Sequence, residues 1–198
     1  MRAFFIETGD MKIPFFSSAS ASVVGAALLV IGGHATASDG TISFLGSIDA
    51  STCTITTAGT SGSFVVLLPK VSTQALKTEG STGGDTAFEI KLTGCSDVSG
   101  NIMTNFEAGT NVDMPSGRLN NSAPSGAKKI QIQLLNATNA SAILVGHPIA
   151  SQNSLGAALT ANGDKGVATL RYLARYYATG VSTPGTVTSQ VTYTLVFP

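Results

Sequence analysis

From residue 38 onward the chain alternates between apolar and polar positions far more often than it repeats at helical spacing. Side chains two apart share one face of an extended strand, so each alternating run reads as a strand with one buried face. Residues 40–48 (GTISFLGSI) place Ile42, Phe44 and Ile48 on one face beside Gly40 and Gly46. Residues 64–68 form a short apolar run closed by Pro69. The runs 88–92 (FEIKL) and 130–134 (IQIQL) alternate again, and 167–177 and 187–197 are the two longest strand candidates. Stretches rich in turn residues at 80–85, 113–126 and 161–166 separate them. Only 71–78 and 150–159 have the pattern for a helical turn or two. Many short strands with Gly/Pro punctuation, without an internal repeat or linker, predict one all-β domain, a sandwich of Ig-like type.

The first 37 residues read differently. Residues 17–31 (SSASASVVGAALLVI) have the length of a signal-peptide apolar region, shorter than the ~20 residues of a membrane span. An Ala35-Thr36-Ala37 cleavage pattern follows. The basic flank is thin, Arg2 and Lys12 with Glu7 and Asp10 between them, and Met11-Lys12 makes a cleaner start than Met1. Residues 1–37 are therefore expected to be a signal peptide. Cleavage falls after Ala37, or after Ala35 as the alternative, and leaves a mature chain of 38–198.

Composition removes whole functional classes. Charged residues are 11% of the chain, net charge is zero, and the longest basic run is Lys128-Lys129, so no electrostatic footprint for nucleic acid exists. The 43% apolar content is enough for a real core. Cys53 and Cys95, an even count in an exported chain without C-x-x-C spacing, read as a disulfide. Hydrolytic chemistry needs a nucleophile held against a base. The mature chain has one histidine, His147, ahead of Pro148, and Glu79, Asp85, Glu89 and Asp97 read as solvated acids. No metal-protease, nucleophile-elbow or calcium-loop spacing occurs, so no catalytic residue, cofactor or metal is expected.

The two ends of the mature chain carry a resemblance. The run 172–180 (YLARYYATG), then Thr183-Pro184-Gly185, then the alternating run 187–197 resembles the C-terminal half of type 1 fimbrial (chaperone–usher pilus) major subunits. Gly40-Thr41-Ile42-Ser43-Phe44 ahead of Cys53 looks like that family's donor segment, and Phe88-x-Ile90-x-Leu92-x-x-Cys95 resembles the strand carrying the partner cysteine. The resemblance implies an incomplete Ig-like β-sandwich, the pilin fold, completed by a donor strand from a neighbouring subunit. It divides the mature chain into an N-terminal extension, 38–48, and a pilin domain, 49–198. Gly40, Ile42 and Phe44 would be donor positions, and Val191, Tyr193, Leu195 and Phe197 would line the groove and chaperone-binding strand. Implied partners are copies of the same chain, a periplasmic chaperone, an outer-membrane usher and a tip adhesin, on a route through the periplasm to the cell surface. The implied function is a structural subunit polymerising by donor-strand exchange into the surface shaft used in adhesion. The alternative is a minor adapter or tip-adhesin-type subunit of the same organelle, and a third reading is a small exported enzyme or inhibitor with a complete sandwich. Two departures stand out. Cleavage after Ala37 leaves only Ser38 and Asp39 ahead of the donor glycine, and Phe197 stands where the family often has tyrosine.

Overall fold

A computed structural model of the chain describes residues 53–57 and 62–197. Ten strands follow in order: β1 Thr54–Ile55, β2 Thr82–Cys95, β3 Asn101–Phe106, β4 Val112–Asp113, β5 Arg118–Asn120, β6 Ile130–Asn136, β7 Ala157–Ala158, β8 Thr160–Asn162, β9 Lys165–Ala178 and β10 Tyr193–Val196. One sheet runs β1-β2-β9-β6-β5-β4 with β8 also on β9, and the other runs β10-β3-β7. Every pairing is antiparallel.

The large sheet is organised on β2 and β9, each 14 residues long. Along β9 the inward positions Ala168, Leu170, Tyr172 and Ala174 are buried, while Arg171 between them is exposed. The alternation in sequence is thus the alternation of core and solvent. On β2, Ile90 and Leu92 meet the same core, and Leu134 of β6 joins them. The small sheet contributes Ile102 and Phe106 from β3. An aromatic pair binds the layers, Phe106 of β3 standing edge-on to Tyr172 of β9 at 5.2 Å, and Phe88, the ladder partner of Tyr172 in the large sheet, lies 5.6 Å from it. The outer face of the large sheet is polar. Glu89 lies 2.9 Å from Arg171 and 3.2 Å from Lys91, Arg175 lies 3.7 Å from Asp85, and the Arg118 guanidinium sits 3.9 Å from the Tyr177 ring centre. The Lys91 hydrogen bond holds the Glu89 carboxyl below its ordinary range, with Arg171 adding to it against some desolvation.

Two glycines shape the long strands. Gly94, at φ 64°, sits at the register shift between Leu92 and Cys95, where a left-handed residue lets β2 bulge. At Gly166 a Cβ would collide with the Asp97 carbonyl, so only glycine lets β9 pass beneath that loop.

Several expectations change. The segment 71–78 and the start of 150–159 form isolated hydrogen-bonded turns, Leu76 N–H to Thr73 O and Gln152 N–H to Pro148 O among them, while Ala157–Ala158 pair as β7, and no α-helix occurs among the described residues. Residues 64–68 are extended but belong to no ladder. Of the run 187–197, only β10 pairs as a strand. Cys53 and Cys95 are bonded. The bridge staples the head of β1 to the end of β2, its own ladder neighbour.

Candidate functional site

Among the described residues the core is not closed on one side. Residues 187–197 run extended along the molecule with strict alternation: Val187, Ser189, Val191, Tyr193, Leu195 and Phe197 are half-buried, and the residues between them are exposed. Val191, Tyr193, Leu195 and Phe197 all pack against the main core without any of them being covered. The expected groove residues therefore stand together on one wall. The sequence reading missed the opposite wall. Phe64, Val66 and Leu68 are half-buried, whereas Val65 and Leu67 are each 82% exposed. Phe64 and Leu68 touch the same core, and Phe64 lies 6.1 Å from Phe88, which reaches Tyr172 beneath.

Backbone direction matters as much as the side chains. Glu107 donates its N–H to Thr192 O, and β10 continues that register with Tyr193 opposite Phe106 and Thr194 opposite Asn105. In an antiparallel pair, hydrogen-bonded and non-bonded positions alternate. Thr192, Thr194 and Val196 consequently bond to β3, while the N–H and C=O groups of Val191, Tyr193, Leu195 and Phe197 turn to the opposite edge. Among the described residues no strand occupies that edge, and no backbone hydrogen bond ties 64–70 to a neighbour. The two walls are joined by a side chain: the Tyr193 hydroxyl donates to Gly62 O at 2.7 Å. Burial pushes the Tyr193 phenol above its usual value. An apolar trough bordered by unpaired strand edges can accept one more strand, with main-chain bonds on its borders and alternate side chains in its floor.

Behind the trough β3 is held by a buried glutamine. Gln152 is fully buried; its Oε1 accepts from Phe106 N–H at 2.8 Å, and its Nε2 donates to Phe106 O at 2.8 Å, His147 O at 3.0 Å and Asn105 Oδ1 at 3.2 Å. Phe106 occupies a non-bonded position relative to β10, so its amide faces away from that strand and meets the glutamine amide instead. The side chain stands in for a missing strand. No signal in the sequence marks Gln152, a polar residue in the stretch 150–159 that reads as a helical turn or two.

Among the described residues no reactive centre is assembled. His147 Nε2 lies 2.9 Å from Met114 O, an exposed loop contact. Asp113 bonds to Ser116, which keeps its carboxyl below the ordinary range. Among the described residues no three His, Cys, Asp or Glu side chains gather as a metal site. The donor positions Gly40, Ile42 and Phe44 lie outside the described residues.

An Ig-like sandwich with a strand position open beside its last strand defines a pilin-type structural subunit. The chain belongs to the FimA type-1 fimbrial protein family, whose family model matches residues 68–198. It is a structural protein of fimbriae and not an enzyme. It is 43% identical over 166 residues to the major fimbrial subunit SMF-1 of Stenotrophomonas maltophilia, covering 82% of this chain and 95% of that one. It is 34% identical over 209 residues to the serotype 2 fimbrial subunit of Bordetella pertussis, covering 95% and 100%. In fold it is similar to the crystal structure of the P pilus rod subunit PapA, with TM-score 0.53 and 19% identity over 74% of this chain and 99% of that one.

Proposed function

We propose that this subunit polymerises by donor-strand exchange, the extension 38–48 of one copy filling the trough of the next, to build the surface shaft that carries adhesion. The observation that carries this reading is the half-buried inward face of 187–197, whose backbone groups turn toward an edge, opposite Phe64 and Leu68, that no strand among the described residues occupies. An exposed strand edge beside apolar surface drives uncontrolled pairing. A periplasmic chaperone covers the Val191, Tyr193, Leu195 and Phe197 strand before assembly, an outer-membrane usher orders the exchange, and a tip adhesin ends the fibre. In the donor, Gly40, Ile42 and Phe44 share one face of the strand. Ile42 and Phe44 each contribute about 1.5–3 kcal/mol on burial.

The test is Phe44→Asp beside Ser43→Asp. A carboxylate at 44 has to be desolvated in an apolar trough, at a cost of several kcal/mol. Its neighbour at 43 points to the other side of the strand. Surface fibres should vanish with Phe44→Asp and persist with Ser43→Asp, while chaperone-bound subunit accumulates equally in both. Normal fibres from Phe44→Asp, or loss of chaperone binding with it, would remove the donor assignment.

A further inference from the structure

The walls of the trough carry no charge: residues 64–68 and 187–197 contain no Asp, Glu, Lys or Arg. One end of it does. Val187, the first trough residue, packs on a second small cluster made by Leu76, Ala127, Ile130 and Ala178 with Val71 and Tyr176. Lys70, Lys77, Lys128 and Lys129 are the immediate sequence neighbours of Val71, Leu76, Ala127 and Ile130, and all four are exposed. They come from two separate stretches, 70–77 and 128–129, whose apolar neighbours the fold gathers in that cluster. Ala127 N–H to Thr186 O and Thr183 N–H to Lys128 O hold the lysine pair against the start of the last extended run. Lys128 and Lys129 also line an open cleft of about 250 Å³ with Asn120, Gln131 and Thr179. The ion pairs among the described residues lie on the outer sheet face, at Glu89 with Lys91 and Arg171 and at Asp85 with Arg175, and engage none of these lysines. The acid on this end is the exposed Glu79, beside Gly80, which donates to Ala178 O. Four cations against one carboxylate leave the end of the trough basic.

The counter-charge is in the same chain. Residues 38–52 contain Asp39 and Asp49 and no Lys or Arg, whereas the described residues hold nine Lys and Arg against seven Asp and Glu. Asp39 and Asp49 are ten residues apart, as are Val187 and Phe197. At about 3.3 Å per residue both spans are ~33 Å, so an extended segment that fills the trough sets one aspartate at each end. Antiparallel pairing is the more stable of the two ladders. Against β10 it brings the C-terminal end of the incoming segment, Asp49, to the Val187 end. We infer that Lys70, Lys77, Lys128 and Lys129 form a basic collar that receives Asp49 of a second copy, so that charge sets the polarity with which the segment enters. This rests on the reading that 38–48 is the donor. A charge pair held in the assembled fibre favours one orientation of the segment and slows its release, and it fades with salt.

The experiment uses purified fibres of the full chain. Lys128→Glu with Lys129→Glu, and separately Lys70→Glu with Lys77→Glu, are compared with wild type for dissociation in urea at 20 mM and 500 mM sodium chloride. The reversed fibres should dissociate roughly tenfold faster at low salt, with most of the difference gone at high salt. Adding Asp49→Lys to the reversed background should restore the wild-type rate, and adding Asp39→Lys should not. If a reversed subunit yields no fibre, recovery of fibre by Asp49→Lys becomes the readout. Wild-type dissociation from the reversed fibres, rescue by Asp39→Lys instead, or no recovery by Asp49→Lys overturns the collar. Phe44→Asp run in parallel separates the two ideas. If it abolishes fibres while the lysine reversals change nothing, the donor reading stands and the collar alone falls.

Discussion

Replacing Gln152 should cost this fold several kcal/mol, on the order of a few lost buried hydrogen bonds. In Gln152→Leu the volume is nearly kept, so a large cavity is not the issue. The Phe106 N–H loses its acceptor, and a buried orphan donor costs about 1–3 kcal/mol. The bonds to His147 O and Asn105 Oδ1 go as well, at about 1 kcal/mol each, while Phe106 O keeps Gly146 N–H at 3.0 Å. The total is roughly 3–5 kcal/mol. Gln152→Glu makes a sharper test. It keeps an acceptor for Phe106 N–H but presents an anion to the Phe106 and His147 carbonyls, so its carboxyl is driven above the ordinary ~4.3. A raised acid pKa means stability fully present below the unfolded value and lost as pH rises through the folded one. The assay is urea unfolding of a chain in which a copy of 38–48 follows Pro198 through a flexible linker, measured from pH 4 to 8. A loss below about 1 kcal/mol for Gln152→Leu, or a flat pH profile for Gln152→Glu, would show that the amide is not a strand substitute.

Two further outcomes follow from bonds already described. Replacing Cys53 and Cys95 with serine releases a link across 42 residues of sequence and should destabilise the same linked chain by about 4 kcal/mol, read from its urea midpoint. Burial raises the phenols of Tyr172 and Tyr193, so both are held neutral in the fold. Their contribution is intact below about pH 10 and lost as pH rises further. Tyr193→Phe should cost about 1 kcal/mol at pH 7 through the Gly62 bond and make the alkaline limb of unfolding shallower. An unchanged alkaline limb would count against it.

How much of this could be read from sequence depended on how purely each segment alternates. β2, β6 and β9 were visible because apolar side chains take the inward positions: Ile90 and Leu92, Ile130 and Leu134, Leu170 and Tyr172. β3 was not. Its inward residues are Ile102, Thr104 and Phe106, and a fully buried threonine between Asn101 and Asn105 breaks the apolar rhythm. The run 64–68 read as a strand because every residue is apolar, but a sequence records which face is hydrophobic, not whether a partner strand is present. The trough wall 187–197 was legible for the opposite reason: its odd positions are apolar almost without exception and its even ones are polar as far as Thr194. The Gln152 contacts and the lysine collar left no trace, since both are made by residues far apart in sequence that only the fold brings together.

The staple between Cys53 and Cys95 also decides how a pull on the chain is distributed. β1 is two residues long, and an edge strand that short would peel away one hydrogen bond at a time. A pull arriving from the N-terminal side reaches Cys53 first, crosses the sulfur bridge to Cys95, and enters the end of a 14-residue strand. The load then runs along β2, which is laced to β9 from Thr82 to Cys95, so the ladder is sheared with its bonds sharing the force and is not unzipped. One covalent bond turns a two-residue edge strand into a tether anchored in the sheet's longest pair.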